Sequence, residues 1–132
     1  MPWAEVFIVF GVAHLFGDFA LQTDWQAEHK HGGLRAGATE SRRALFGHVG
    51  GYTLAFIPAV AWLWSGIGAA ALATLPLVAL PHLVQDDGRL IALWVRKVKG
   101  ETAMVSRMVV IAVDQSFHAV ILLATALLVA AL

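Results

Sequence analysis

Ala13-His14-Leu15-Phe16-Gly17-Asp18-Phe19-Ala20-Leu21-Gln22 closes an apolar run that begins at Trp3. If that run crosses a bilayer, His14 and Asp18 stand one helical turn apart on one face of a helix surrounded by hydrocarbon. Ionisable groups at such depth cost roughly 2.5 to 3.5 kcal/mol each on insertion scales unless they face partners inside the protein. The chain offers partners elsewhere: His48, His82 with Asp86, and Asp114 with His118.

The whole composition agrees with a membrane setting. Of the 132 residues, 59% are hydrophobic and 14% charged, where soluble domains carry about 25% charged residues. The formal net charge is zero and no basic helix alternates with aromatics, which argues against nucleic acid as a partner. There is no cysteine, so disulfides, thiolate metal ligands and cysteine nucleophiles are excluded. Met1-Pro-Trp-Ala-Glu5 lacks the basic region of a signal peptide, and the run behind it is expected to be a retained span.

Four apolar segments, residues 3–21, 44–64, 67–84 and 104–132, each come near the roughly 20 residues that cross a bilayer. The expected fold is a single all-α domain, 1–132: a membrane four-helix bundle with a short interfacial helix between the third and fourth spans. Ser65-Gly66 makes the second and third spans a tight antiparallel hairpin, and Pro76 and Pro81 are expected to kink the third. In residues 87–107, Leu90, Ile91, Leu93, Trp94, Val95 and Val98 alternate with Arg89, Arg96, Lys97 and Lys99, the pattern of a helix lying in the membrane surface.

All nine Lys and Arg residues fall in the first and third connections, which emerge on one side of a four-span chain. The positive-inside rule makes that side cytoplasmic and places both termini outside. Trp3, Trp62 and Trp64 then mark the outer headgroup belt, Trp25 and Trp94 the inner one.

With this topology every span contributes a histidine to the cytoplasmic half of the membrane. His14 with Asp18, His82 with Asp86 and Asp114 with His118 share an i, i+4 spacing that aims both side chains at one neighbour. Inward-facing carboxylate and imidazole pairs are how helical bundles build metal sites. Without sulfur, such ligands suit divalent zinc, manganese, iron or magnesium. His48 stands at the inner boundary, where a solvated histidine and a seventh ligand are equal readings. Gln22 and Gln115 are candidate hydrogen-bond partners of the carboxylates, or caps of polar faces. Arg89, seven residues beyond His82, and Arg107, seven before Asp114, share their faces and offer a seat for a phospholipid headgroup, although arginines at span ends also serve as anchors. Tyr52, one turn beyond His48, could donate to the site, although a core or interfacial position is the expected one. Gly47, Gly50 and Gly51 are expected to allow close helix approach. Asp24, Glu28, His29, His31 and Asp87 read as solvated groups beside basic residues.

His14-Leu-Phe-Gly-Asp18-Phe19-Ala-Leu21-Gln22-Thr23-Asp24-Trp25, Glu28 to Lys30, His48, His82 to Asp86, and Asp114-Gln115-Ser-Phe-His118 resemble the motif set of a family of small bacterial integral-membrane proteins, known only as domain of unknown function 3307. The resemblance spans nearly the full length and implies a bacterial inner-membrane location. It brings no activity with it. One departure is Asp87-Gly88 preceding Arg89, where a basic residue is expected within a turn of the third-span aspartate. The histidine and aspartate pairing is also similar, distantly, to membrane-bound metal-dependent hydrolases.

These residues favour a metal-dependent hydrolase that acts on a lipid-like substrate at the inner leaflet. The competing readings are a small ion- or proton-translocating transporter, a haem protein, and a structural or partner-binding protein whose polar layer only fixes helix packing. Membrane lipid is the expected partner, with homo-oligomerisation required if the chain transports.

Overall fold

The computed structural model describes all 132 residues, and the chain is all-helical. Helix α1, Trp3–Leu15, runs into a π-helical turn over Phe16–Ala20. Helix α2, Asp24–His29, starts at a capping box: the Gln26 backbone N–H donates to Thr23 Oγ1, and the Thr23 N–H to Gln26 Oε1. Helix α3, Thr39–Ala55, is followed after Phe56 by α4, Ile57–Ile67. Pro58 explains that break, since it has no N–H for the Leu54 carbonyl. A 3₁₀ stretch, Gly68–Ala73, leads into α5, Thr74–Asp86. Helix α6, Arg89–Trp94, continues as a π turn, Val95–Lys99, then a 3₁₀ turn, Glu101–Val105. The last helix, α7, Arg107–Ala130, is capped by Ser106 Oγ, which accepts from the Val109 N–H.

Three stretches are long and apolar enough to cross a membrane: Trp3–Ala20, Ile57–Asp86 and Arg107–Ala130. The middle one is not straight. Gly68 has φ 57° and ψ −139°, outside the helical region, and His48 on α3 lies 3.0 Å from His82 on α5. A contact between residues 34 apart along helices requires the chain to fold back between them. The turn at Gly66 to Gly68 is therefore a hairpin, as the Ser65-Gly66 pair suggests. Its tip lies beside the N-terminus, where a Cβ on Gly66 would stand 3.0 Å from Met1 Sδ.

Helix α1 packs along α7, α3 along α5, and α5 along α7. Val6 and Phe10, Phe56 and Leu63, and Leu122 and Val129 form one buried apolar cluster between them. The outward faces are apolar too, with Ile8, Val12 and Phe16 on α1 and Val120, Leu127 and Leu128 on α7 exposed. A water-soluble surface rarely carries so much contiguous apolar area. Leu90, Leu93, Trp94 and Val98 are exposed on the α6 segment beside Arg96, Lys97 and Lys99.

Glycine supplies close approach at a different place from the one expected. Cβ atoms on Gly50 and Gly51 would meet nothing within 4 Å, and one on Gly47 would meet only Gln26 Nε2. Gly17 is the tight position. A Cβ there would lie 3.0 Å from Tyr52 Cδ2 and 3.1 Å from Tyr52 Cα, so the π turn of α1 rests directly on α3.

Candidate metal centre

The polar residues gather at one end of the apolar cluster, where the π turn of α1 meets α3, α5 and α7. Four ligand atoms, from Asp18, His48, His82 and Asp86, lie within 4.8 Å of one another, and all four residues are buried. His48 Nε2 stands 2.7 Å from Asp86 Oδ2, 3.2 Å from Asp18 Oδ1 and 3.0 Å from His82 Nε2. His82 Nε2 is 3.3 Å from Asp86 Oδ2 and 3.8 Å from Asp18 Oδ1. One imidazole proton satisfies only one of these contacts. A cation among the four atoms satisfies all of them.

The spacings suit such a cation. Nitrogen and oxygen ligands about 2.0 to 2.1 Å from a tetrahedral ion stand roughly 3.3 Å apart, within the 2.7 to 3.8 Å range found here. Asp18 Oδ1 is fully buried and accepts no hydrogen bond. An orphaned carboxylate oxygen is expensive unless something positive meets it. Asp18, Asp86 and Asp114 set three carboxylates against the one ammonium of Lys30, an excess of negative charge that either a cation or protonated imidazoles would balance. Asp18, Asp114 and His118 form a second, less buried group that shares Asp18.

The π turn decides where Asp18 points. The Leu21 N–H donates to the Phe16 carbonyl, five residues back, so the helix widens at the turn that carries Asp18. His14 hydrogen-bonds Tyr52 Oη through Nδ1 at 3.2 Å and Gln115 Oε1 through Nε2 at 2.9 Å. The assignment consistent with a neutral ring has the Tyr52 hydroxyl donate to Nδ1 and Nε2–H donate to Gln115. Gln115 Nε2–H then donates to Asp18 Oδ2 at 2.8 Å and to Asp114 Oδ2 at 3.3 Å. This chain fixes Asp18 with Oδ1 facing the two histidines. On the other side, His82 Nδ1 meets His118 Nε2 at 2.8 Å, and His118 Nδ1–H donates to the Asp114 carbonyl at 2.9 Å. Tyr52 stacks flat on His82, with ring centroids 3.4 Å apart.

The family model described as a protein of unknown function (DUF3307) matches residues 6–132. The chain belongs to this family. No curated protein and no solved structure matches it.

In this DUF3307 chain the predicted residues divide by role. Asp18, His48, His82 and Asp86 form the four-ligand group, so His48 belongs inside the site and not in solvent. Asp114 and His118 complete the second group, and His118 Nε2 also lies 3.4 Å from Asp86 Oδ1. His14 belongs to neither group and holds Gln115 in place. Gln22 Oε1 accepts from Lys30 at 2.6 Å. Arg89 does not continue the face of His82, because Gly88, φ 77°, breaks the helix between them. Its Nε donates to Asp87 Oδ2 instead.

The structure corrects the reading of Asp87 and adds Lys30, which its place in a polar connection had left without a site role. Lys30, at the end of α2, is buried and donates to Asp86 Oδ2 at 2.6 Å. Asp87, expected to be solvated, is 3% exposed and accepts from the Leu34 N–H at 2.8 Å. The Asp87 carbonyl accepts from the Gly32 N–H, so Asp87 clamps the first connection to the end of α5. Beside this clamp His31 keeps an exposed side chain, and partial desolvation against the folded connection, reinforced by the Lys30 charge, lowers its pKa below the ordinary 6.5.

Proposed function

We propose that this is a four-span inner-membrane protein that binds a divalent cation at Asp18, His48, His82 and Asp86 and uses it to hydrolyse a lipid-like substrate. The observation that carries the reading is the set of four buried ligand atoms within 4.8 Å of one another, one of them an oxygen that accepts no hydrogen bond. The two basic connections lie at the same end as this group. By the positive-inside rule that end is cytoplasmic and both termini are outside.

A bound divalent ion would acidify a coordinated water and polarise the group under attack. The protein's own residues do the rest. Gln115 orients Asp18, while His118 accepts from His82 and keeps its Nε2 turned to the site. Asp114 is half-buried and lines the adjoining cavity, where it is placed to take a proton from water. Zinc, manganese, iron and magnesium remain the ions that the donor set fits.

Elemental analysis after gentle detergent extraction tests this. About one equivalent of a divalent ion is expected, and its loss in Asp18→Asn with His48→Gln. A preparation with no metal above background refutes the centre. Metal in stoichiometric amount, with pH-dependent ion flux in liposomes and no chelator-sensitive hydrolysis of lipid esters, replaces the hydrolase by a transporter.

A further inference from the structure

A cavity of about 890 Å³ opens from the metal centre towards the α6 segment, and its floor holds Asp18, Asp86 and Asp114. Its rim carries Arg35, Arg89, Arg96 and Arg107. Arg35 and Arg107 have no side-chain hydrogen bond or ion pair with the protein. Arg89 and Arg96 engage Asp87 and Glu101 through Nε, which leaves their terminal amino groups free. Four guanidinium groups around one opening repel each other and favour an anion between them.

The same cavity has an apolar side. Ile91, Leu93, Val110 and Ile111 line it, and Leu90, Trp94 and Val98 continue that surface outward along the α6 segment. The volume is within the roughly 300 to 1,000 Å³ of small-molecule sites. A ligand that uses the whole site has an anionic head between the floor and the arginines, and an apolar part leaving past Ile91 and Ile111. A carboxylate has two oxygens, too few to meet an ion on the floor and two guanidinium forks at once. A phosphoryl group has enough, and guanidinium pairs with it bidentately.

We infer that the cavity seats the phosphoryl group of an amphiphilic phosphate ester between the centre at its floor and the guanidinium groups of Arg35 and Arg107. The inference deepens the hydrolase reading and takes the floor of the site from it.

The test uses the full chain in detergent, with and without chelator. Native mass spectrometry measures retention of phosphatidic acid against diacylglycerol of the same acyl chains, with inorganic phosphate as competitor. Phosphatidic acid is expected to be retained and diacylglycerol not. Arg35→Gln with Arg107→Gln is expected to weaken retention by about tenfold or more, the scale of charge-assisted hydrogen bonds, with helicity by circular dichroism unchanged. Equal retention of both lipids, or wild-type retention by the double variant, overturns the inference. Displacement by inorganic phosphate at equal concentration assigns the seat to a soluble phosphate ester; resistance to it assigns the seat to a lipid. Retention by chelator-treated protein keeps the seat without the ion, while the metal centre stands or falls on elemental analysis, so the two readings fail separately.

Discussion

Replacing Gln115 by Met keeps the length of the side chain and removes both polar ends of the link between His14 and Asp18. Three hydrogen bonds go: the one from His14 at 2.9 Å, the charge-assisted one to Asp18 Oδ2 at 2.8 Å and a longer one to Asp114 Oδ2 at 3.3 Å. Neutral and charge-assisted bonds contribute about 1 and about 2 kcal/mol each. Part of that loss appears as stability. The rest appears where Asp18 is no longer held with Oδ1 towards His48 and His82, and loss of an orienting partner typically weakens metal binding about 10- to 100-fold. The expected result is therefore a fall in affinity of that size, read by competition with a chromophoric chelator in detergent. Ser116→Ala is the control, because Ser116 Oγ only donates back to the Ala112 carbonyl on the exposed side of α7. A Gln115→Met variant that folds and holds metal as tightly as the wild type would refute the argument that this chain aims Asp18.

Gly17→Ala should lower stability by about 1 to 3 kcal/mol, the usual effect of overpacking, because its Cβ meets Tyr52 at 3.0 and 3.1 Å. Gly50→Ala, with nothing within 4 Å, should leave the melting temperature in detergent unchanged. Gly88→Ala combines φ 77° with a Cβ 2.7 Å from His31 Cδ2. It should cost roughly 1 to 2 kcal/mol and raise the protease sensitivity of residues 31–38, where an unchanged digestion pattern would count against the clamp. His31 has its pKa lowered in the folded chain by partial desolvation and by Lys30. The unfolded chain then takes up protons first, so stability present above the ordinary 6.5 declines as pH falls towards the folded value. His31→Asn should flatten the stability curve just below pH 6.5, and an identical slope in both proteins would exclude His31 as its source.

Hydropathy made the helices legible, because long apolar runs and proline positions act locally. The hairpin was readable for the same reason: Ser65-Gly66 interrupts the apolar pattern where the chain turns. The polar cluster was readable from cost, since His14, Asp18, His82 and Asp86 in apolar runs demand one another. Spacing alone was less reliable. The i, i+4 rule pairs His14 with Asp18 as fellow ligands, but His14 stays outside both ligand groups and reaches Asp18 only through Gln115. Heptad spacing aligned Arg89 with His82 and failed at Gly88. Lys30 and Asp87 escaped because a charge in a polar connection looks solvated until the connection folds back against α5. A lone lysine at the end of a short capped helix was the available signal for Lys30.

Lys30 also bears on the order of events when the chain is made. Its ammonium already meets Asp86 inside the protein, so part of the negative charge is balanced by the polypeptide alone. If the centre holds an ion as proposed, loading would be a later exchange at a pocket that the polypeptide has already part-neutralised, and loss of the ion would leave that partial balance in place.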